Sequence, residues 1–178
     1  MASPLQMGTL QIEGVKGREV FSFEYLGEWL RSGFAQEIDP DLQLYAGPQY
    51  LREGRPNFGI FMDSSPDRWG KMLMGRREAV MAKREGRPPK RLLESDYLLG
   101  VFDGHRMGAL RFKLQGNDAF LDDNKELASP PWTSIRELEH ASLQLERDTS
   151  EDDPEYLRWL YMLISSGSSL GGARPKAS

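Results

Sequence analysis

Leu10-Gln11-Ile12-Glu13-Gly14-Val15-Lys16-Gly17-Arg18-Glu19-Val20-Phe21-Ser22-Phe23-Glu24-Tyr25 is the stretch that decides the fold. Apolar and polar residues alternate over 10–14 and again over 19–25. A period of two is the mark of a strand with one face buried. The break Gly14-Val15-Lys16-Gly17 between the runs suits a hairpin turn, so the chain opens with antiparallel sheet.

Working outward, Leu26-Gly27-Glu28-Trp29-Leu30 fits helix and strand equally. Gly33, Pro40, Gly47, Pro48, Gly54 and Pro56 then break the chain into loops and short strands. A helix is predicted over 66–85. Ser65 is placed to N-cap it, Pro66 to open it, and Asp67 to face the positive end of its dipole. Trp69, Met72, Leu73 and Val80 form its apolar stripe, and Gly86-Arg87-Pro88-Pro89 ends it. A short buried helix follows over 89–99, marked by Leu92, Leu93, Tyr97, Leu98 and Leu99. Residues 101–114 read as a second hairpin turning at Asp103-Gly104. Ser134 and Glu137 form a capping box ahead of Ile135, Leu138, Ala141 and Leu145. Asp153 and Pro154 open a last helix with Tyr156, Trp159, Leu160 and Leu163 on one face. The fold class is therefore α+β, an antiparallel sheet with several helices.

The chain has 178 residues, enough for a sizeable core in one domain or two joined subdomains. It has no cysteine, which excludes disulfides and cysteine-based zinc or redox chemistry. No apolar run is long enough to span a membrane, and Met1-Ala2-Ser3-Pro4-Leu5 lacks the basic and apolar regions of a signal peptide. A cytoplasmic protein is expected. His105 and His140 have no ligand-spaced neighbours and are read as surface or loop residues.

The net charge of −4 conceals a polarity. Arg68, Lys71, Arg76, Arg77, Lys83, Arg84, Arg87, Lys90 and Arg91 crowd one window, opposed within it only by Glu78 and Glu85. From Asp118 to Glu155 the acids dominate. A basic helix with Trp69 nearby suits nucleic acid or an acidic partner. The simpler reading is a solvated face balanced by the acidic half.

The tail Gly167-Ser168-Ser169-Leu170-Gly171-Gly172-Ala173-Arg174-Pro175-Lys176 carries the chemistry. Glycine pairs let backbone N–H groups turn toward an anion, and a nearby lysine supplies countercharge. Gly167 and Gly172 have the outer spacing of a Walker A loop, but Ala173 stands where its lysine belongs and a helix, not a strand, precedes it. The GxGxxG loop of ordinary protein kinases is not matched either. Only Ala177 and Ser178 remain, so the chain reads as the front of something longer.

Three ordered segments resemble the HipA family of serine/threonine kinase toxins. They are the run Ser168–Ala177, the run Asp63-Ser64-Ser65-Pro66-Asp67-Arg68-Trp69-Gly70, and Tyr97 to Asp103 continued by Arg106 to Phe112. The resemblance implies a HipA N-terminal subdomain over 1–115. It places the start of the kinase N-lobe over 116–178, ending in the glycine-rich loop. By position, the serine that autophosphorylates in the family and throws the loop outward matches Ser169, with Ser168 as its alternative. Gly171, Gly172 and Ala173 match the nucleotide-binding loop and Lys176 its terminal lysine. Arg174-Pro175 departs from the Gln-Glu of some members.

The family's catalytic and metal-holding aspartates lie in a second lobe that this sequence does not contain. The resemblance therefore implies ATP and Mg only together with that lobe, and a fragment inactive alone. It further implies a type II toxin–antitoxin system with a HipB-like helix-turn-helix antitoxin, DNA reached only indirectly through it, and a protein substrate. In relatives that substrate is an aminoacyl-tRNA synthetase. The alternative is a stand-alone regulatory, antitoxin-like subunit that binds a separate HipA-like kinase. A contribution of the basic face at 68–91 to an antitoxin–DNA complex is a third reading.

Overall fold

The computed structural model describes residues 4–51, 54–101, 103, 106, 108–121, 135–146 and 155–167. It is α+β, and its contacts divide the chain into two compact units, Met1–Met62 and Asp63–Ser178. This division by contact at 62/63 is a different quantity from the boundary expected at 115/116.

In the first unit, β1 (Gly8–Val15) and β2 (Arg18–Tyr25) form the expected hairpin, with Leu10 opposite Phe23 and Ile12 opposite Phe21. Val15 pairs with Arg18, leaving a two-residue loop of Lys16 (φ 49°) and Gly17 (φ 76°). Positive φ at both positions gives the turn whose twist matches that of the strands, and glycine makes the second position cheap. Phe21, Phe23 and Tyr25 alternate along β2 and are buried. The ambiguous 26–30 stretch becomes α1 (Gly27–Arg31), ended where the Ser32 hydroxyl donates to the Trp29 carbonyl. A two-residue strand, β3 (Gln49–Tyr50), pairs antiparallel with β2, giving the order β1-β2-β3. A short helix, α2 (Gly59–Asp63), then brings Phe61 into the core.

That core is built of rings. Phe23 meets Tyr25 edge-on at 4.9 Å and Phe61 at 5.5 Å, and Phe58 meets Phe61 at 5.9 Å. The irregular chain around them is held by side chains that satisfy backbone groups. Asp39, buried, accepts from the N–H of Asp41 and of Ile60, at 2.9 and 2.7 Å. The Gln49 amide pairs with both the N–H and the carbonyl of Gln43. Asn57 accepts from the Phe58 N–H.

In the second unit, α3 (Arg68–Arg84) begins later than expected. Asp67, not Ser65, is its N-cap and accepts from the Gly70 N–H at 2.7 Å. An ionised acceptor at a helix start binds the free N–H groups more strongly than a hydroxyl. Met72 also departs from the predicted stripe and is exposed, whereas Gly70, Met74 and Ala82 are buried beside Trp69, Leu73 and Val80.

The helix expected over 89–99 is only α4 (Glu94–Leu99). Pro88 and Pro89 have no N–H to give, the Lys90 N–H goes to Glu78, and the Leu93 N–H goes to Asp96, so the backbone is bonded before a helix can form. Gly100 ends α4 in a crowded place: a Cβ there would stand 2.6 Å from Met74 Cε and 2.8 Å from the Asp96 carbonyl oxygen.

The hairpin expected over 101–114 does not form among the described residues, which contain no strand there. Phe102, Gly104, His105 and Met107 lie outside them. Arg106 and Arg111 take over the organising role: Arg111 pairs with Asp103 and stacks at 3.6 Å on Phe120, and Lys113 lies over the same ring.

Two helices complete the unit, α5 (Ile135–Glu146) and α6 (Tyr156–Gly167). The cap residues expected for them, Ser134, Asp153 and Pro154, lie outside the described residues. Leu138, Ala141 and Leu145 of α5 are buried as the spacing predicts. On α6 the buried face is wider than expected, adding Leu157, Met162 and Ile164 to Tyr156, Leu160 and Leu163, while Trp159 is only half-buried. α3 and α5 both pack on α6, and the three share one core.

Candidate functional site

Ser168, Ser169, Gly171, Gly172, Ala173 and Lys176 all lie outside the described residues. What the structure describes is the scaffold that leads to them. α6 ends at Gly167, and its second half is fixed by Leu160, Leu163 and Ile164 in the shared core with α3 and α5. The tail therefore leaves from a helix whose position is set by close packing.

The segments 63–70 and 97–112 are joined by one buried residue. Arg106 donates through Nη1 to the carbonyls of Ser64 (2.9 Å) and Leu98 (2.8 Å) and through Nη2 to that of Val101 (3.2 Å). Its guanidinium also lies 4.6 Å from the centre of the Phe112 ring. A fixed fork of donors suits three carbonyls converging from different segments, a task one backbone N–H cannot perform. The sequence places Arg106 inside a recognisable segment but gives no sign of this task, because its partners follow no period.

The basic window is largely committed to intramolecular work. Lys71 reaches both carboxylate oxygens of Glu94, at 2.9 and 2.7 Å, and lies over the Tyr97 ring. Arg76 donates to the Leu145 carbonyl in the last turn of α5, where a cation also meets the helix dipole. Arg87 is held by Glu78 and Glu85, and Lys90 by Asp96. Those hydrogen bonds from Arg87, with the Lys90 N–H, hold the Glu78 carboxyl down to about 2, and in return raise the Arg87 guanidinium.

The counter-ions described for Lys71, Arg87 and Lys90 are local, and most of the acidic stretch 118–155 lies outside the described residues. Trp69 is buried in the core, which leaves its ring unavailable for stacking on a base. His140 is exposed on α5, as read from the sequence, and His105 lies outside the described residues.

Burial raises the Tyr97 phenol above its ordinary value, with Glu94 and Asp96 adding to it. Among the described residues, no three His, Asp or Glu side chains cluster to hold a metal ion, and no helix is long and apolar enough to cross a membrane. No protein-family model, no curated protein and no solved structure matches this chain.

Proposed function

We propose that the chain is the N-terminal portion of a HipA-like serine/threonine protein kinase. Its complete form passes the γ-phosphoryl group of Mg-ATP to a serine or threonine of a protein substrate. The observation that carries this reading is the convergence made by Arg106. Two segments read from the sequence as family-like, 63–70 and 97–112, are far apart in the chain, yet one guanidinium binds carbonyls from both. The helix that begins in the first of them, α3, packs on α6, which the third follows in the sequence.

In this reading Gly171 and Gly172 let the tail fold over a nucleotide, with Lys176 as countercharge. Ser169, or its neighbour Ser168, is the switch. Phosphorylation adds about two negative charges and three acceptor oxygens. A loop carrying that charge repels the phosphates of an incoming ATP and opens. Phosphoryl transfer itself needs acids that hold metal and orient the acceptor hydroxyl. This stretch contributes the lid and its switch, and the chain alone turns over no ATP.

Intact-mass and peptide mapping of the protein expressed from its whole native reading frame, incubated with Mg-ATP, tests this. A single phosphate on Ser169 or Ser168, lost in the Ser169→Ala/Ser168→Ala double variant, is the expected result. A phosphate found only elsewhere overturns the switch. A stop codon directly after Ser178 overturns the kinase reading in favour of a separate regulatory subunit.

A further inference from the structure

Beside the shared core, α5 and α6 leave a groove of about 240 Å³ bounded by Arg136, His140, Glu155, Arg158, Trp159 and Met162. Its chemistry is uneven. Two guanidiniums and a single carboxylate share its lining with an indole, an imidazole and a thioether. Trp159 and His140 brace each other edge to face, with ring centres 6.0 Å apart at 79°, and His140 Nε2 lies 3.2 Å from the Gln144 amide nitrogen. Both rings are therefore set before anything binds.

Arg136 has no ion-pair partner among the described residues. Arg158 reaches Glu155 at 3.1 Å, but both side chains are more than half exposed, and such pairs contribute little.

We propose that this groove binds a small oxyanion, a phosphate or carboxylate group carried on a compact planar body. Arg136 and Arg158 hold the charged end, and Trp159 with Met162 holds the body. Guanidinium forks match the geometry of such oxygens in pairs. Indole and thioether surfaces take a flat ring with little loss of side-chain freedom. Size sets the class: the groove has room for about eight waters' share of liquid volume. That suits a single-ring acid or one phosphorylated group. Its residues are Arg136, Arg158, Trp159 and Met162, none of them in the tail at 168–176, so it stands or falls independently of the kinase reading.

The test is a titration of the 178-residue chain at neutral pH with phenyl phosphate, benzoate and inorganic phosphate, followed by the His140 ring and Trp159 indole NMR signals. Saturable shifts with phenyl phosphate or benzoate are expected, and which of the two binds more tightly names the charged group. Arg136→Gln should weaken binding about tenfold, the loss of one charge-assisted contact, and Arg136→Gln/Arg158→Gln should abolish it. Both positions are exposed, so the remaining spectrum reports an intact fold. Absence of saturation with every probe overturns the proposal, as do shifts that survive in the double variant. Inorganic phosphate binding as tightly as phenyl phosphate also overturns it, since the ring wall would then do nothing.

Discussion

In the sheet unit the core is a set of aromatic rings, Phe21, Phe23, Tyr25, Phe58 and Phe61, brought together by chain that is mostly irregular between β2 and α2. In the helical unit it is a mesh of mainly aliphatic side chains, Leu73, Leu138, Leu145, Leu160 and Leu163 among them, carried on three helices. The helices satisfy their own backbones. The loops of the sheet unit cannot, and they depend on Asp39, Gln49 and Asn57 to do it. Stability in the first unit therefore rests on a few large rings and single polar side chains. In the second it is spread over many similar contacts, except where the irregular stretch after α4 leans on Arg106.

The largest effect expected is at the ring cluster. Phe61 is 2% exposed and touches Phe23 and Phe58. Phe61→Ala should cost about 4 kcal/mol in denaturant unfolding, because it opens a cavity among large rings. Its counterpart in the helical mesh, Leu160→Ala, should cost about 3 kcal/mol. A Leu160→Ala loss exceeding that of Phe61→Ala would break the contrast.

Next is the exception. Arg106→Met keeps the stem but strips three buried carbonyls of their charged donor, and should cost about 3 kcal/mol. Hydrogen exchange should quicken first in 94–101, where two of those carbonyls lie. If Arg106→Met proved neutral, the helical unit would be uniform after all, and the convergence behind the functional proposal would be an incidental contact.

What the sequence made legible follows the same division. Both strands of the first hairpin and the buried faces of α5 and α6 were readable, because period two and period 3.6 survive in composition. The loops and short strand of 32–58 were expected from its glycines and prolines, but their bonding was not, since the amides of Gln49 and Asn57 act on backbone groups that no spacing rule locates. The second hairpin failed for a related reason. The alternation in 109–114 suits a strand, but Asp103 pairs with Arg111 and Arg106 takes carbonyls from three places. Of the candidate site, the tail was legible only as a run of small residues with a lysine. Trp159, assigned to the core by its spacing, turned out to be half-buried beside the α5–α6 groove.

Asp39 sharpens the contrast at a smaller scale. Asp39→Ala frees the N–H groups of Asp41 and Ile60 and should cost about 2 kcal/mol. Asp39→Asn keeps one acceptor oxygen and should recover roughly half of that loss. An asparagine as damaging as alanine would mean that both bonds, and not the packing of Asp39, set its worth.

The smallest effect separates the units by pH. Burial raises the Tyr25 phenol, with Asp39 and Glu37 adding to it, and burial likewise raises Tyr97. A phenol raised in the fold contributes stability that is whole below its ordinary value of 10 and is lost as pH climbs past it, so both units weaken in alkali. Acid acts differently. Hydrogen bonds from Arg87 hold Glu78 at about 2 against an ordinary 4.5. A depressed carboxyl stabilises above 4.5 and gives that up as pH falls toward 2, so the α3 end of the helical unit should loosen in that window. The site is solvent-accessible, and screening shrinks the effect well below that of the core substitutions. Glu78→Gln removes the titration. The protection factors of the Glu85 and Gly86 amides, at the end of α3, should fall between pH 4.5 and 2.5 in the parent and stay flat in the variant. Identical acid profiles would show that Arg87 and Lys90 find other partners once Glu78 is gone, and that the charge network is not what closes this helix.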